Sequence, residues 1–329
     1  MRELMAAAGG ALALQLWQRW QAREECEPCD AADGPDGWML LCHAHRRKRT
    51  LRPSQSHFRV TALVTYHIDA EAQVRFVVGH NDEACCLLNG VCAERAAFLQ
   101  LAALAEGRTI RVTGVHITTD SENAITPGAL CREYMASSRF TTDNLTIVME
   151  AHTGPASRMT RALGYFWSHG SPYTRLDREG QVAAGERLQA RVGAAGAALA
   201  GAEGKAWRAA CDASAGDDRS DLHPIAYGAA VVFEDGSVAS ACQKKALEYG
   251  CTQDAVCQLA PQIAASKSRP LVVCQADQYG VCHAPSAVAR AYLAEFGFGS
   301  ARILAHDGEG TLSKPSAEEL MPGMPMIFP

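Results

Sequence analysis

The stretch Asn81-Asp82-Glu83, followed after eight residues by Cys92-Ala93-Glu94-Arg95, decides how the rest of the chain reads. An Asn and a Glu one residue apart suit a fixed polar grip on a sugar hydroxyl, one side chain donating and the other accepting. Cys92 and Glu94, also one residue apart, suit a zinc thiolate with a carboxylate near enough to handle the proton of an activated water. A strand-like run, Val74 to Gly79 (VRFVVG), precedes the first pair. The second pair opens Cys92 to Leu104 (CAERAAFLQLAAL), whose apolar spacing is helical and which is broken by Gly107.

The surrounding chain has α/β order. Phe58 to Ile68 and Val74 to Gly79 form a hairpin-like pair. Thr109 to Thr118 follows as a strand, Leu130 to Ser137 as a helix and Thr141 to Glu150 as a further strand. Gly180 to Ala213 is rich in Ala and Gly and reads as a helical connector, outside any core. The order then repeats. Tyr227 to Phe233 and Ser237 to Cys242 form a hairpin over an Asp235-Gly236 turn. Gln253 to Ile263 reads as a helix, Pro270 to Ala276 as a strand, Pro285 to Phe296 as a helix and Ala301 to His306 as a strand. Self-similarity of this kind predicts two copies of one unit, each a mixed sheet covered by helices.

Composition narrows the function. At 329 residues and 48% apolar, the chain can fill two cores. A formal charge of −5 and a pI near 6.1 leave no basic excess for a phosphate backbone, which weighs against long nucleic acids as partners. The 13 cysteines are scattered, as reduced thiols in a cytoplasmic protein would be. The apolar run from Met5 to Leu16 is too short to span a bilayer, so no membrane association is expected. Residues 1–49 read as a leader of unknown order. Within it, Cys26, Cys29, Cys42, His43 and His45 form a candidate small zinc site, and Arg46 to Arg49 the solvated face of a helix from Met39 to Thr50.

Taken together, Asn-x-Glu, eight residues and Cys-Ala-Glu-Arg resemble the free-nucleoside, zinc-dependent cytidine deaminase family, in its two-domain form. The resemblance runs from about residue 50 to 329. Ser56-His57-Phe58-Arg59-Val60 is similar to the family's first strand, and Leu320-Met321-Pro322 with Phe328-Pro329 to its tail. The family's second metal turn, Pro-Cys-x-x-Cys-Arg, stands here as Pro127-Gly128-Ala129-Leu130-Cys131-Arg132, with Gly128 where a cysteine belongs. The resemblance implies zinc held by Cys92 and Cys131, Glu94 as proton carrier, Phe58 against the pyrimidine, and Asn81 and Glu83 on the ribose. Cys85 and Cys86 are candidates for a replacement ligand; alternatively, Cys92 and Cys131 are packing thiols.

In the second copy Asp254, Val256, Ser286 and Ala289 stand where the family has its chemistry, which implies a scaffold without catalysis. The domains so read are 50–175, a connector 176–222, and a degenerate copy 223–329. The implied activity is hydrolytic deamination of cytidine or deoxycytidine in pyrimidine salvage by a homodimer. The alternative is a zinc-deficient pseudoenzyme that binds nucleosides or another protein.

Overall fold

The computed structural model of the chain describes residues 34–69, 71–86 and 89–323. Cys26, Cys29 and the apolar run before them lie outside the described residues. The chain divides into two compact units, Met1–Ala124 with Ile147–Met159, and Ile125–Thr146 with Thr160–Pro329.

In the first unit, helix α1 (Gly34–Lys48) precedes strands β1 (Val60–Ile68) and β2 (Arg75–His80), helix α2 (Ala93–Leu104) and strand β3 (Ile110–Thr119). β1 is rich in β-branched and aromatic residues and is buried along nearly all of its length, as a central strand should be. It pairs antiparallel with β2 on one side and β3 on the other. With β4 (Thr146–Glu150) and β5 (Met159–Ala162), the sheet order is β2-β1-β3-β4-β5.

Helix α1 belongs to this packing. Met39 and Cys42 are buried, and Cys42 packs with Leu63 and Phe76. The Cys42 thiol donates to the carbonyls of Thr61 and His116, and burial pushes it up to about 12. His43 bonds Glu150 at 2.9 Å and Thr118 at 2.9 Å, while His45 meets the Phe76 ring edge-on. Cys42 and His43 thus take part in packing and hydrogen bonds, and the other two cysteines of the candidate zinc site, Cys26 and Cys29, lie outside the described residues. The solvated-face reading of Arg46 to Arg49 is half right. Arg47 and Lys48 are exposed, but Arg46 is buried against Asp120 and Arg49 bonds Asn81.

The second unit holds helices α3 (Ala129–Ser137), α4 (Leu163–Phe166), α5 (Arg178–Ala197) and α6 (Gly201–Ser214), then β6 (Tyr227–Phe233) and β7 (Val238–Cys242). There follow α7 (Ala260–Ala265), β8 (Pro270–Asp277), β9 (Cys282–His283), α8 (Ala287–Glu295), β10 (Arg302–His306) and β11 (Leu312–Ser313). The sheet order is β11-β10-β8-β6-β7, with β9 against β8; β10 runs parallel to β8 and the other pairs are antiparallel. The series β2-β1-β3-β4 and β7-β6-β8-β10 match, so the repeat predicted from sequence is present in the topology.

Alternate residues of β6 feed two cores: Ala229, Val231 and Phe233 face Val256, Leu259 and Leu293, while Ala230 and Val232 face Ala206 and Ala210 of α6. One face of each helix in the "connector" therefore joins a core, which corrects its placing outside any core. Its small residues let α6 lie against β6 so closely that a Cβ on Gly228 would stand 2.2 Å from the Ala210 carbonyl oxygen. α5 likewise buries Leu188 and Val192 against Ile225 and Val281. The expected helix from Gln253 shortens to Ala260–Ala265, after an Asp254 carboxylate that accepts from the amides of Val256 and Cys257. Among the described residues no helix is long and apolar enough to cross a membrane.

Two arginines carry the repeat into side-chain detail. Arg132 Nε donates to the Pro127 carbonyl and Arg290 Nε to that of Pro285, each at 2.8 Å. Arg132 lies over the Phe166 ring and Arg290 over Trp167. Burial pushes the Arg290 guanidinium down to about 9.

Candidate functional site

Where α2 begins is fixed by one glycine. A Cβ at Gly79 of β2 would stand 2.1 Å from the Ala93 carbonyl oxygen and 2.4 Å from the Ala97 nitrogen, so only glycine lets α2 lie this close to the sheet. Cys92 is the N-cap of α2, with extended backbone at φ −73° and ψ 156°, and Glu94 sits in the first turn at 4% exposure. Arg95 donates to the Gly90 carbonyl and ties down the preceding loop. A helix N-terminus favours negative charge, so a thiolate and a carboxylate are both at home there.

In the second unit, Gly128 is the N-cap of α3 with the same extended backbone, φ −64° and ψ 159°. Cys131 lies in the first turn, fully buried. Arg132 fixes this turn from behind through the Pro127 carbonyl and the Thr126 hydroxyl. Two helix starts of like geometry thus carry a cysteine cap in one case and a glycine cap in the other.

The predicted sugar grip is held by the chain itself. Asn81 Oδ1 accepts from the Val60 amide at 2.8 Å and from Arg49 at 2.7 Å, and its amide donates to the Phe58 carbonyl at 2.8 Å. Both acceptor sites and one of the two donors are used, leaving one N–H. Glu83 Oε2 accepts from the amides of Gln55 and Ser56, and Oε1 from the Ser56 hydroxyl. The Ser56 hydroxyl is the main cause that holds the Glu83 carboxyl below its usual range. Of a carboxylate's roughly four acceptor sites, one remains open. Phe58 is half-buried behind this turn, next to His57, which is held at a φ of 55°.

The Cys92 thiol and Glu94 carboxylate, at the start of α2, are donors that a metal ion accepts, and so is the Cys131 thiol at the start of α3. Two sulfurs and an oxygen suit zinc, which accepts both. Gly128 adds no donor. Cys85 and Cys86, the candidates for a replacement ligand, are exposed on the loop after Glu83.

Sequence reasoning missed three parts: Arg49 on Asn81, the Ser56 turn on Glu83, and Gly79 under α2. The last had a signal, since a glycine inside a strand marks close backbone approach.

Neither the protein-family models nor the curated proteins contain a match to this chain. Among solved structures it is similar to a cytidine deaminase from Burkholderia pseudomallei, at 19% identity and a TM-score of 0.34, over 41% of this chain and 98% of that one. It is also similar to one from Mycobacterium tuberculosis, at 26% identity and a TM-score of 0.31, over 36% of this chain and 92% of that one. A third is from Mycobacterium leprae, at 21% identity and a TM-score of 0.31, over 36% and 95%.

Proposed function

We propose that the chain is a zinc-dependent hydrolase of the cytidine deaminase type, acting on the amino group of a free pyrimidine nucleoside. The observation that carries this is Glu94, a carboxylate at 4% exposure in the first turn of the helix that Cys92 caps. It stands beside a thiol at a helix N-terminus, which favours negative charge, and a thiolate and a carboxylate placed together suit a cation. Cys92 and Cys131 would hold the ion with Glu94 in the same group, and zinc would supply an activated water.

The chain's own residues do the remainder. Glu94 takes one proton from the attacking water and gives it to the ring nitrogen, then takes a second from the hydroxyl now on the ring carbon and gives it to the amine, which departs as ammonia as the carbon–nitrogen bond breaks. Phe58 presents its ring to the base. Glu83 offers its one open acceptor site to a ribose hydroxyl, and Asn81 its remaining N–H. Two chains assemble as a homodimer, and the net charge of −5 keeps long nucleic acids away.

Gly128 favours a second reading, a nucleoside-binding pseudoenzyme, because catalytic zinc usually has three protein ligands. Metal content of the purified protein, measured beside conversion of cytidine to uridine, separates the two. One zinc per chain with turnover that Glu94→Gln removes supports the enzyme. Uridine binding without zinc and without turnover supports the pseudoenzyme.

A further inference from the structure

The second unit contains a Ser–His–Asp chain at the wall of a cavity. Ser171 lies in the loop after α4, Asp277 ends β8, and His283 lies in β9. Ser171 Oγ is 3.0 Å from His283 Nδ1, and His283 Nε2 is 3.1 Å from Asp277 Oδ2. Asp277 is 0% and His283 2% exposed, while Ser171 is half-buried and lines a cavity of 330 Å³.

The hydrogen-bond inventory fixes every proton in the chain. Asp277 Oδ1 accepts from the amides of Tyr279 at 2.9 Å and Val281 at 3.0 Å. Oδ2 accepts from the Tyr173 hydroxyl, which burial and the carboxylate itself keep protonated. With three donors already on it, Asp277 is an acceptor toward the histidine, so Nε2 carries the ring hydrogen. Nδ1 then carries the lone pair. Ser171 Oγ accepts the Tyr173 amide at 3.1 Å, so its own hydrogen points to Nδ1. Tyr173 and Tyr227 meet the imidazole edge-on at 4.8 and 5.2 Å and hold its plane.

A nucleophile within hydrogen-bond reach of a base, with the base oriented by a third group, is the arrangement acyl transfer needs. The two ring nitrogens exchange their more familiar parts, which leaves the chemistry intact. The walls beside Ser171 include Trp167, Leu176, Ala284 and Pro285, and suit an apolar acyl group.

We infer that Ser171, His283 and Asp277 form a second catalytic site, one that hydrolyses small carboxylic esters. Ser171 Oγ bonds the ester carbonyl carbon and its proton passes to His283 Nδ1. The carbon–oxygen bond to the alcohol breaks, and that oxygen takes the proton from Nδ1. Water then bonds the acyl carbon, giving its proton to Nδ1, and the carboxylic acid leaves as Ser171 Oγ recovers the proton. Asp277 holds the ring and offsets the charge of the imidazolium. The second unit would then hold a catalytic site of its own, with the base and its orienting carboxylate drawn from the degenerate copy and the nucleophile from the segment before it.

The test uses the whole chain with diisopropyl fluorophosphate and p-nitrophenyl butyrate. The expected result is one phosphoryl adduct, with loss of fluoride, that peptide mass spectrometry places on Ser171. Ser171→Ala should melt as wild type does, yet lose the adduct and about a hundredfold or more of the esterase rate. His283→Gln should lose labelling as well. No adduct, an adduct elsewhere, or unchanged esterase in Ser171→Ala overturns the proposal. Chelating zinc should leave the esterase untouched, so its failure is distinguishable from that of the deaminase reading.

Discussion

Replacing Gly79 by Ala tests how the sheet sets the position of α2. The new Cβ would stand 2.1 Å from the Ala93 carbonyl oxygen and 2.4 Å from the Ala97 nitrogen, where ordinary contact begins at 3.4 Å. Both atoms are backbone, so no side-chain rotation relieves the clash. The helix must retreat by about 1.3 Å, the difference between 2.1 and 3.4 Å. Overpacking of this kind costs about 1–3 kcal/mol. Because Ala93 lies between Cys92 and Glu94, the same retreat moves both, and a displacement of about 1 Å lowers turnover by about a hundredfold. Urea unfolding measures the first effect, and zinc content with cytidine turnover the second. Gly193→Ala in α5 is the control, since a Cβ there meets nothing within 4 Å; it should stabilise by about 0.4–1 kcal/mol. If Gly79→Ala unfolds within 0.5 kcal/mol of wild type, a range typical of surface changes, the reasoning fails.

Further outcomes follow from other residues. Gly128→Cys, in the same backbone conformation as Cys92, should raise zinc affinity at least tenfold, roughly the least that losing even an outer partner costs, as competition with a chromogenic chelator would read. In that background Glu94→Gln should bind the ion but lose turnover. Burial holds His116 neutral and lowers its pKa to about 4, so its contribution is present above the unfolded value of 6.5 and is lost as pH falls toward 4. His116→Leu should flatten the stability profile in that window by an amount on the order of 3 kcal/mol, measured by urea titrations at each pH. Arg290→Lys removes the guanidinium bonds to the Ser168 and His169 carbonyls, and should cost about 2–4 kcal/mol in the same assay.

The repeat was legible in sequence because strands and helices write their periods into residue order. β1, β2, α2 and β3 begin and end within two residues of where apolar spacing puts them. What could not be read was which small-residue helices pack. Ala206 and Ala210 look like linker composition, yet their lack of bulk lets α6 approach β6. The helix at Met39 was legible but its packing was hidden for the opposite reason: Arg46 and Arg49 look solvent-bound until Asp120 and Asn81, more than thirty residues away, arrive to bond them. Cys92 and Glu94 stood out as a spacing, and Gly128 and Cys131 through the resemblance to a known family. The partners of Asn81 and Glu83 come from Arg49, Gln55 and Ser56, which no local pattern links to them. The Ser171–His283–Asp277 chain spans more than a hundred residues and has no signature in the order of the chain.

Arg132 donates to the carbonyl of Pro322, 190 residues on, and the Thr126 hydroxyl to that of Gly323, 197 residues from it. At ribosomal speeds of about 5–20 residues per second, 190 residues take about 10–40 seconds to appear. The helix that carries Cys131 therefore spends that interval without the carbonyls that brace it in the finished protein. Completion of this turn is timed by translation of the far end of the chain, and a nascent chain stalled before Pro322 should leave the Cys131 turn open to thiol reagents that the full-length protein excludes.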